Sequence, residues 1–331
     1  MNNNLLTKSE TENLINSDRI LLLSGDEDNL KSLPKGNWIG GTTPYFVSKE
    51  SGGLISKDKI FVSDITSVAK SIMVKNYDEY KLRKLYGNSY PNGFNFIIIP
   101  SSSPAHSSFA LNAPSYKKFG KYPLLGWISG VHINDLGKIK PKIFNGITGE
   151  SFEDEAIVMH VEVDENKTIE IGTVNNFEQG DGDILTFMDD GFSCKEVMVN
   201  GLRESFGDYI IRNGLDTKLP LVANYFGKLV NISFQSFEAG GTVRFYAPVF
   251  TGVRYKHAKP VGDYAQEFNR QMQNVDLNNK KILFSCNCVL NYMHLNLEGK
   301  KTEPFTGPFT FGEIAYQLLN QTLVYLSITE S

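Results

Sequence analysis

Unbroken apolar runs dominate the hydrophobic pattern of this chain, and apolar residues at helical spacing are the minority. Ile20-Leu-Leu-Leu23 and residues 94–99, apolar but for Asn95, read as strands buried on both faces, since neither shows a 3.6-residue period and each stops at a breaker, Gly25 and Pro100. Weaker alternation or apolar clustering places further strands at 59–65, 68–74, 124–133, 156–163 and 168–174. After Gly191 come strands at 195–199, 221–225, 229–237, 242–250, 281–286, 309–314 and 322–328. Gly240-Gly241 joins two of these as a tight hairpin, because glycine adopts positive φ without steric cost.

Helices are signalled mainly by their caps. Thr7 with Glu10 three residues on is a capping box, Asp26 caps a turn that ends before Pro34, and Ser103-Pro104 supplies a cap and a first-turn proline. Residues 77–85 carry a helical mix, and 202–212 read as a helix closed by Asn213-Gly214. The strongest pattern is 261–273, where Tyr264, Phe268 and Met272 form one apolar stripe.

Many strands and about five helices, without strict alternation, predict an α+β fold: two β-rich mixed-sheet halves with flanking helices. The pattern resets from Gly191 onward, past the Gly/Asp-rich loop 178–183, which puts the boundary between halves 1–190 and 191–331. Trp38-Ile-Gly-Gly-Thr-Thr43 and Gly307-Pro-Phe-Thr-Phe-Gly312 are similar strand entrances, so the halves read as a pseudo-duplication.

Composition narrows the function classes. With 331 residues, 41% apolar and 21% charged, the chain is long enough for a large core and too apolar for disorder. A net charge of −4 supplies no general field toward nucleic acid or anionic lipid. Three cysteines cannot form a disulfide framework, the N-terminal segment lacks a secretory pattern, and no apolar run nears the roughly 18 residues of a membrane span. These features predict a cytoplasmic protein that engages neither nucleic acid nor membrane.

Chemistry-bearing motifs are sparse. Cys286 and Cys288 share one face of an extended strand, yet the five histidines show no metal-ligand spacing around them, so no metal or cofactor is expected. A nucleotide loop and a GxSxG elbow are both absent. Glu313 stands out as a carboxylate inside an apolar strand, where it must face water, pair with a cation or meet a ligand. Asn320 and Thr322 add amide and hydroxyl groups a few residues on.

Three segments, Ile282-Leu-Phe-Ser-Cys286, Gly307-Pro-Phe-Thr-Phe-Gly-Glu-Ile314 and Asn320-Gln-Thr-Leu323, resemble in order the end of the FIST sensory domain, with a fainter match at Ile39-Gly-Gly-Thr-Thr43 and Pro123-Leu-Leu-Gly126. The resemblance implies bacterial small-molecule sensing, with an amino-acid-like or other small polar ligand and a message passed to a separate signalling protein. Chemistry and resemblance together place the ligand site at Cys286, Glu313, Asn320 and Thr322, closed from the other half by Trp38, Thr42 and Thr43. The alternatives are a cysteine-dependent hydrolase or transferase using Cys286, and a ligand-free interaction scaffold.

Overall fold

In the computed structural model, which describes residues 3–225, 228–238, 240–262, 264–273, 275–294 and 296–330, the strands gather into four six-stranded sheets and one three-stranded sheet, an α+β architecture. One sheet is central. Its strands run in the order Gln317–Leu319, Glu313–Ala315, Leu124–Ser129, Gly93–Pro100, Ala156–Glu162 and Ser71–Tyr77, antiparallel except for the pair Gly93–Pro100 and Leu124–Ser129. Both of its faces are covered, which is why the run 94–99 has no polar alternation. One face packs Phe96, Trp127, Ile157 and Met159 against Leu283, Phe284, Val324 and Leu326, with Phe96 and Phe284 meeting edge to face at 4.7 Å. The other face holds helix Pro104–Asn112 and an aromatic core of Phe187, Phe206, Phe245 and Tyr255.

The sheets do not part near residue 190. Strand Lys167–Val174 pairs with Leu323–Glu330, Tyr45–Ser48 with Gly307–Thr310, and Leu124–Ser129 with Glu313–Ala315, so the last fifty residues are woven into sheets begun by the first 175. What closes on itself is the middle: two of the other three sheets draw all their strands from between Leu185 and His257, and the third is built from strands between Asn3 and Phe152.

Local signals account for most elements. The Thr7–Glu10 capping box forms in full, Asp26 and Ser103 cap their helices, Gly214 ends helix Phe206–Asn213 in the left-handed region, and Gly240 and Gly241 both have positive φ. Helix Tyr264–Gln273 buries Phe268 and Met272 as the stripe requires, while the side chain of Tyr264 lies outside the described residues. Three expectations are corrected. Residues 202–205 are a strand, because Asn200 and Gly201 take the positive φ of a hairpin turn and return Leu202–Ser205 along Glu196–Val199. Helical structure expected at 77–85 lies at Leu82–Asn88 as a 3₁₀ segment, and the expected strand 309–314 is broken at Phe311-Gly312 into pieces of two sheets. No helix among the described residues is long and apolar enough to cross a membrane.

A buried polar chain crosses the central sheet. The His160 ring lies 2.6 Å from Asn95 Oδ1 through Nδ1 and 2.9 Å from the Tyr77 hydroxyl through Nε2, and the Ser89 hydroxyl also donates to Asn95 Oδ1. An amide oxygen only accepts, so Nδ1 carries the proton and Nε2 accepts from Tyr77. Burial pushes His160 down to about 4, and His106 likewise. A depressed histidine is neutral in the fold and protonated in the unfolded chain, so its stabilisation is complete above about 6.5 and is lost as pH falls towards 4. Each contributes up to about 3 kcal/mol across that window. Thermal stability should therefore fall as pH drops from 6.5 to 4, and His160→Gln should make that slope shallower in a pH series of melting curves.

Candidate functional site

The C-terminal chain passes between two sheets twice within a dozen residues. Strand Gly307–Thr310 lies beside Lys281–Cys288, with Thr310 opposite Cys288. Past Phe311-Gly312 the chain enters the central sheet as Glu313–Ala315, turns at Tyr316, returns as Gln317–Leu319, and crosses back through Asn320-Gln-Thr322 to Leu323–Glu330. Glu313 sits on the outward crossing with no exposed surface.

Its carboxyl ties the crossings together. Thr322, on the return, donates to Oε2 from its backbone N–H at 3.2 Å and from its hydroxyl at 2.9 Å. Thr310, on the outward path, places its hydroxyl 3.2 Å from Oε1. Among the described residues no cation pairs with Glu313, so burial dominates and pushes the carboxyl up to about 8, against the lowering effect of the threonine bonds and the Cys288 thiol. At neutral pH the group is mainly the acid. Oε1 then donates its proton to Thr310 Oγ1, whose own proton goes to the carbonyl of Asn287 at 3.3 Å or Gly312 at 3.2 Å.

Beside this cluster lies a cleft of about 70 Å³ lined by Cys288, Asn320, Phe311, Leu290, Met293 and Leu136 among others. Met293 and Leu136 are its exposed members, and Cys288, Val289, Leu290 and Asn320 its buried ones. The Asn320 amide nitrogen donates to the Leu319 carbonyl at 3.0 Å, which fixes the amide orientation, and its Oδ1 is buried without a partner among the described residues. The backbone around it is pinned: the Asn320 carbonyl accepts from Asn231, and Gln321 binds Ser233 and the Lys218 carbonyl. Phe311 reaches the cleft wall across Gly130, where a Cβ would lie 1.9 Å from the ring.

The expected site is thus partly assembled. Glu313 and Thr322 touch, and Asn320 adjoins them, but Glu313 stands behind Cys288 and lines neither this cleft nor the next. Cys286 is buried one register step away, its sulfur 3.8 Å from the Gly126 carbonyl, so the cleft-lining thiol is Cys288. The rule that places residues i and i+2 on one strand face pointed to both thiols and could not say which one reaches open space. Thr43 supports the cluster from outside, donating to the Phe309 carbonyl at 2.8 Å. With Thr42 it lines a separate acidic cleft of about 320 Å³ that also includes Asp26, Asp28, Asp58 and Asp135. Residues 132–136 divide the two clefts, His132 and Asp135 on one side and Ile133 and Leu136 on the other. Trp38 belongs to neither: it packs with Ile15, Leu23, Leu33 and Phe144, and its indole donates to the Pro34 carbonyl.

Both thiols are raised well above their usual range, first by burial and then by the neighbouring Glu313. Among the described residues no histidine bonds to either. His160 is held in the polar chain above, the His106 ring accepts from the Ser102 N–H at 3.1 Å, His132 stacks on Tyr45, and His257 bonds the Asp216 carbonyl. A thiol raised by burial, whose neighbouring carboxyl is itself protonated at neutral pH, is a poor nucleophile. The described residues also contain no group of three or more His, Cys, Asp or Glu able to hold a metal ion.

No curated protein matches the chain. The sequence does match one family over residues 6–329, nearly its whole length, and the chain therefore belongs to the family of unknown function DUF6976.

Proposed function

We propose that this is a non-catalytic small-molecule-binding protein of the sensory kind, with its site at the Cys288–Asn320 cleft and its output carried by a separate partner protein. The observation that carries the reading is the buried Asn320 carboxamide oxygen, oriented by the Leu319 carbonyl and left without a donor among the described residues, beside a cleft that is apolar but for the Tyr246 phenol and the Cys288 thiol. A buried acceptor is costly to leave unmet, and a ligand donor would meet it. No lining residue is charged and Glu313 is neutral, so an ammonium or carboxylate would be desolvated there without a counter-ion, and the fitting ligand is a short apolar body with an uncharged donor such as a hydroxyl. This narrows the amino-acid-like expectation. At about 70 Å³ the cleft admits one side-chain-sized group, against roughly 300–1,000 Å³ for sites that enclose a drug-sized ligand.

In this reading Glu313 is a positioning residue. It holds Thr310 and Thr322, and through them Cys288 and Asn320, and does not itself contact the ligand.

Saturation-transfer NMR with isoamyl alcohol should show binding, with isovalerate and isoamylamine at least tenfold weaker. Asn320→Leu, which removes the acceptor, and Met293→Trp, which fills the cleft from its exposed side, should each abolish it. Equal binding of all three probes, or binding that survives both substitutions, would reject the assignment.

Glu313→Gln mimics the neutral acid, its amide oxygen accepting from Thr322 and its NH₂ donating to Thr310. The sign of the pH effect follows from the raised carboxyl. Between about 4.5 and 8 the unfolded chain has released the proton that the fold retains, so stability falls as pH rises, by at most about 1.4 kcal/mol per unit. Denaturant titrations should show this loss between pH 6.5 and 8 in the wild type and its disappearance in Glu313→Gln.

A further inference from the structure

Three consecutive residues that behave very differently follow strand Lys167–Val174. The Asn175 side chain accepts from the Phe177 N–H at 3.0 Å and reaches Asn231 at 3.1 Å. Phe177 is buried against Val222 and Ala258. Asn176 between them is 6% exposed, and neither its Oδ1 nor its Nδ2 has a hydrogen-bond partner among the described residues. A fully unmet buried carboxamide is rare, because it forfeits one acceptor and two donors at once. With both neighbours anchored, the backbone cannot move to satisfy it.

Asn176 lies on the wall of a cleft of about 620 Å³, well within the range of small-ligand sites. The opposite wall is helix Tyr264–Gln273. Its three- and four-residue spacing sends Phe268 and Met272 into the core and places Glu267, Arg270 and Gln271 along the cleft. The charges there are already matched: Glu178 pairs with Lys259 at 3.3 Å, and Arg270 donates to both oxygens of Glu267 at 2.9 and 2.6 Å. Two acids against two bases leave this lining neutral, which gives no advantage to a polyanion or polycation.

We infer that this cleft is a second ligand site, independent of the Cys288–Asn320 cleft, for an uncharged molecule that presents a hydrogen-bond donor and acceptor side by side, as a carboxamide, a lactam or a nucleobase edge does. The planar Asn176 amide is the complement of such an edge: its oxygen takes the ligand N–H, and its NH₂ gives to the ligand carbonyl or ring nitrogen. Glu267, Arg270 and Gln271 bound the ligand on its outer side.

The test is isothermal titration of the full-length protein with nicotinamide and uracil, set against nicotinate and 1,3-dimethyluracil, which lack the paired edge. Binding of the first pair should exceed that of the second at least tenfold. Asn176→Leu should lose that binding at least tenfold while its melting temperature holds or rises, since an apolar side chain of similar size removes unmet polar groups. Gly262→Trp should block binding as well, because a Cβ at Gly262 has no atom within 4 Å and the ring can occupy the cleft without disturbing the fold. Absence of binding by both amide-edge probes, equal binding of the controls, retained binding in Asn176→Leu, or a clear fall in its melting temperature would each overturn the inference, the last because it would mean that the amide is satisfied in the folded protein.

Discussion

One neutral carboxyl group joins the central sheet to its neighbour at the point where the chain crosses between them. Glu313 is bonded by Thr310 on the way out and by Thr322 on the way back, and no cation among the described residues shares it. An ionised carboxylate in that position would carry a desolvation cost that hydroxyl and amide donors cannot offset, whereas the protonated acid satisfies both oxygens at a net gain of about 1 kcal/mol per bond. The fold therefore selects the acid, and the acid in turn fixes the spacing of the two crossings.

Other parts of the molecule hang on that spacing. Thr322 presents its carbonyl to the Cys288 N–H at 3.1 Å, which ties the strand carrying both cysteines to the return crossing. Asn320 and Gln321, held by the same segment, bond Asn231, Ser233 and the Lys218 carbonyl, so the self-contained middle of the chain is anchored there too. In the proposed reading, a ligand at Asn320 would act on the same segment as the proton on Glu313, one that three sheets share, and occupancy of a cleft of about 70 Å³ would then have a physical route to a partner at a distance.

What could be read from the sequence was the local part. The caps at Thr7, Asp26 and Ser103 and the doubly buried strand around Phe96 follow from short-range chemistry, and they form as expected. The hairpin at Asn200-Gly201 was equally local, but the residues after it were read as helix. Glu313 was conspicuous as a carboxylate in an apolar strand, and Asn320 and Thr322 lie near it as expected. Thr310 was not singled out, because its reach to Glu313 depends on the chain changing sheets at Phe311-Gly312, which no periodicity encodes. Trp38 failed as a site residue for the complementary reason: an aromatic beside glycines has the same local appearance in a core as in a pocket, and only the long-range packing with Ile15 and Phe144 decides. Asn176 carried no sequence signal at all, since its distinction is the absence of partners.

The most direct test of the Glu313 account is the protonation state of that carboxyl in the folded protein. Isotope-edited infrared spectroscopy, with ¹³C-labelled glutamate and Glu313→Gln as the difference reference, resolves a protonated acid band from the carboxylate bands of exposed glutamates. The account predicts a protonated Glu313 at pH 6 to 7 that titrates with a midpoint near 8. A Glu313 already ionised at pH 6 would contradict it, and with it the claim that a neutral carboxyl holds the two crossings together.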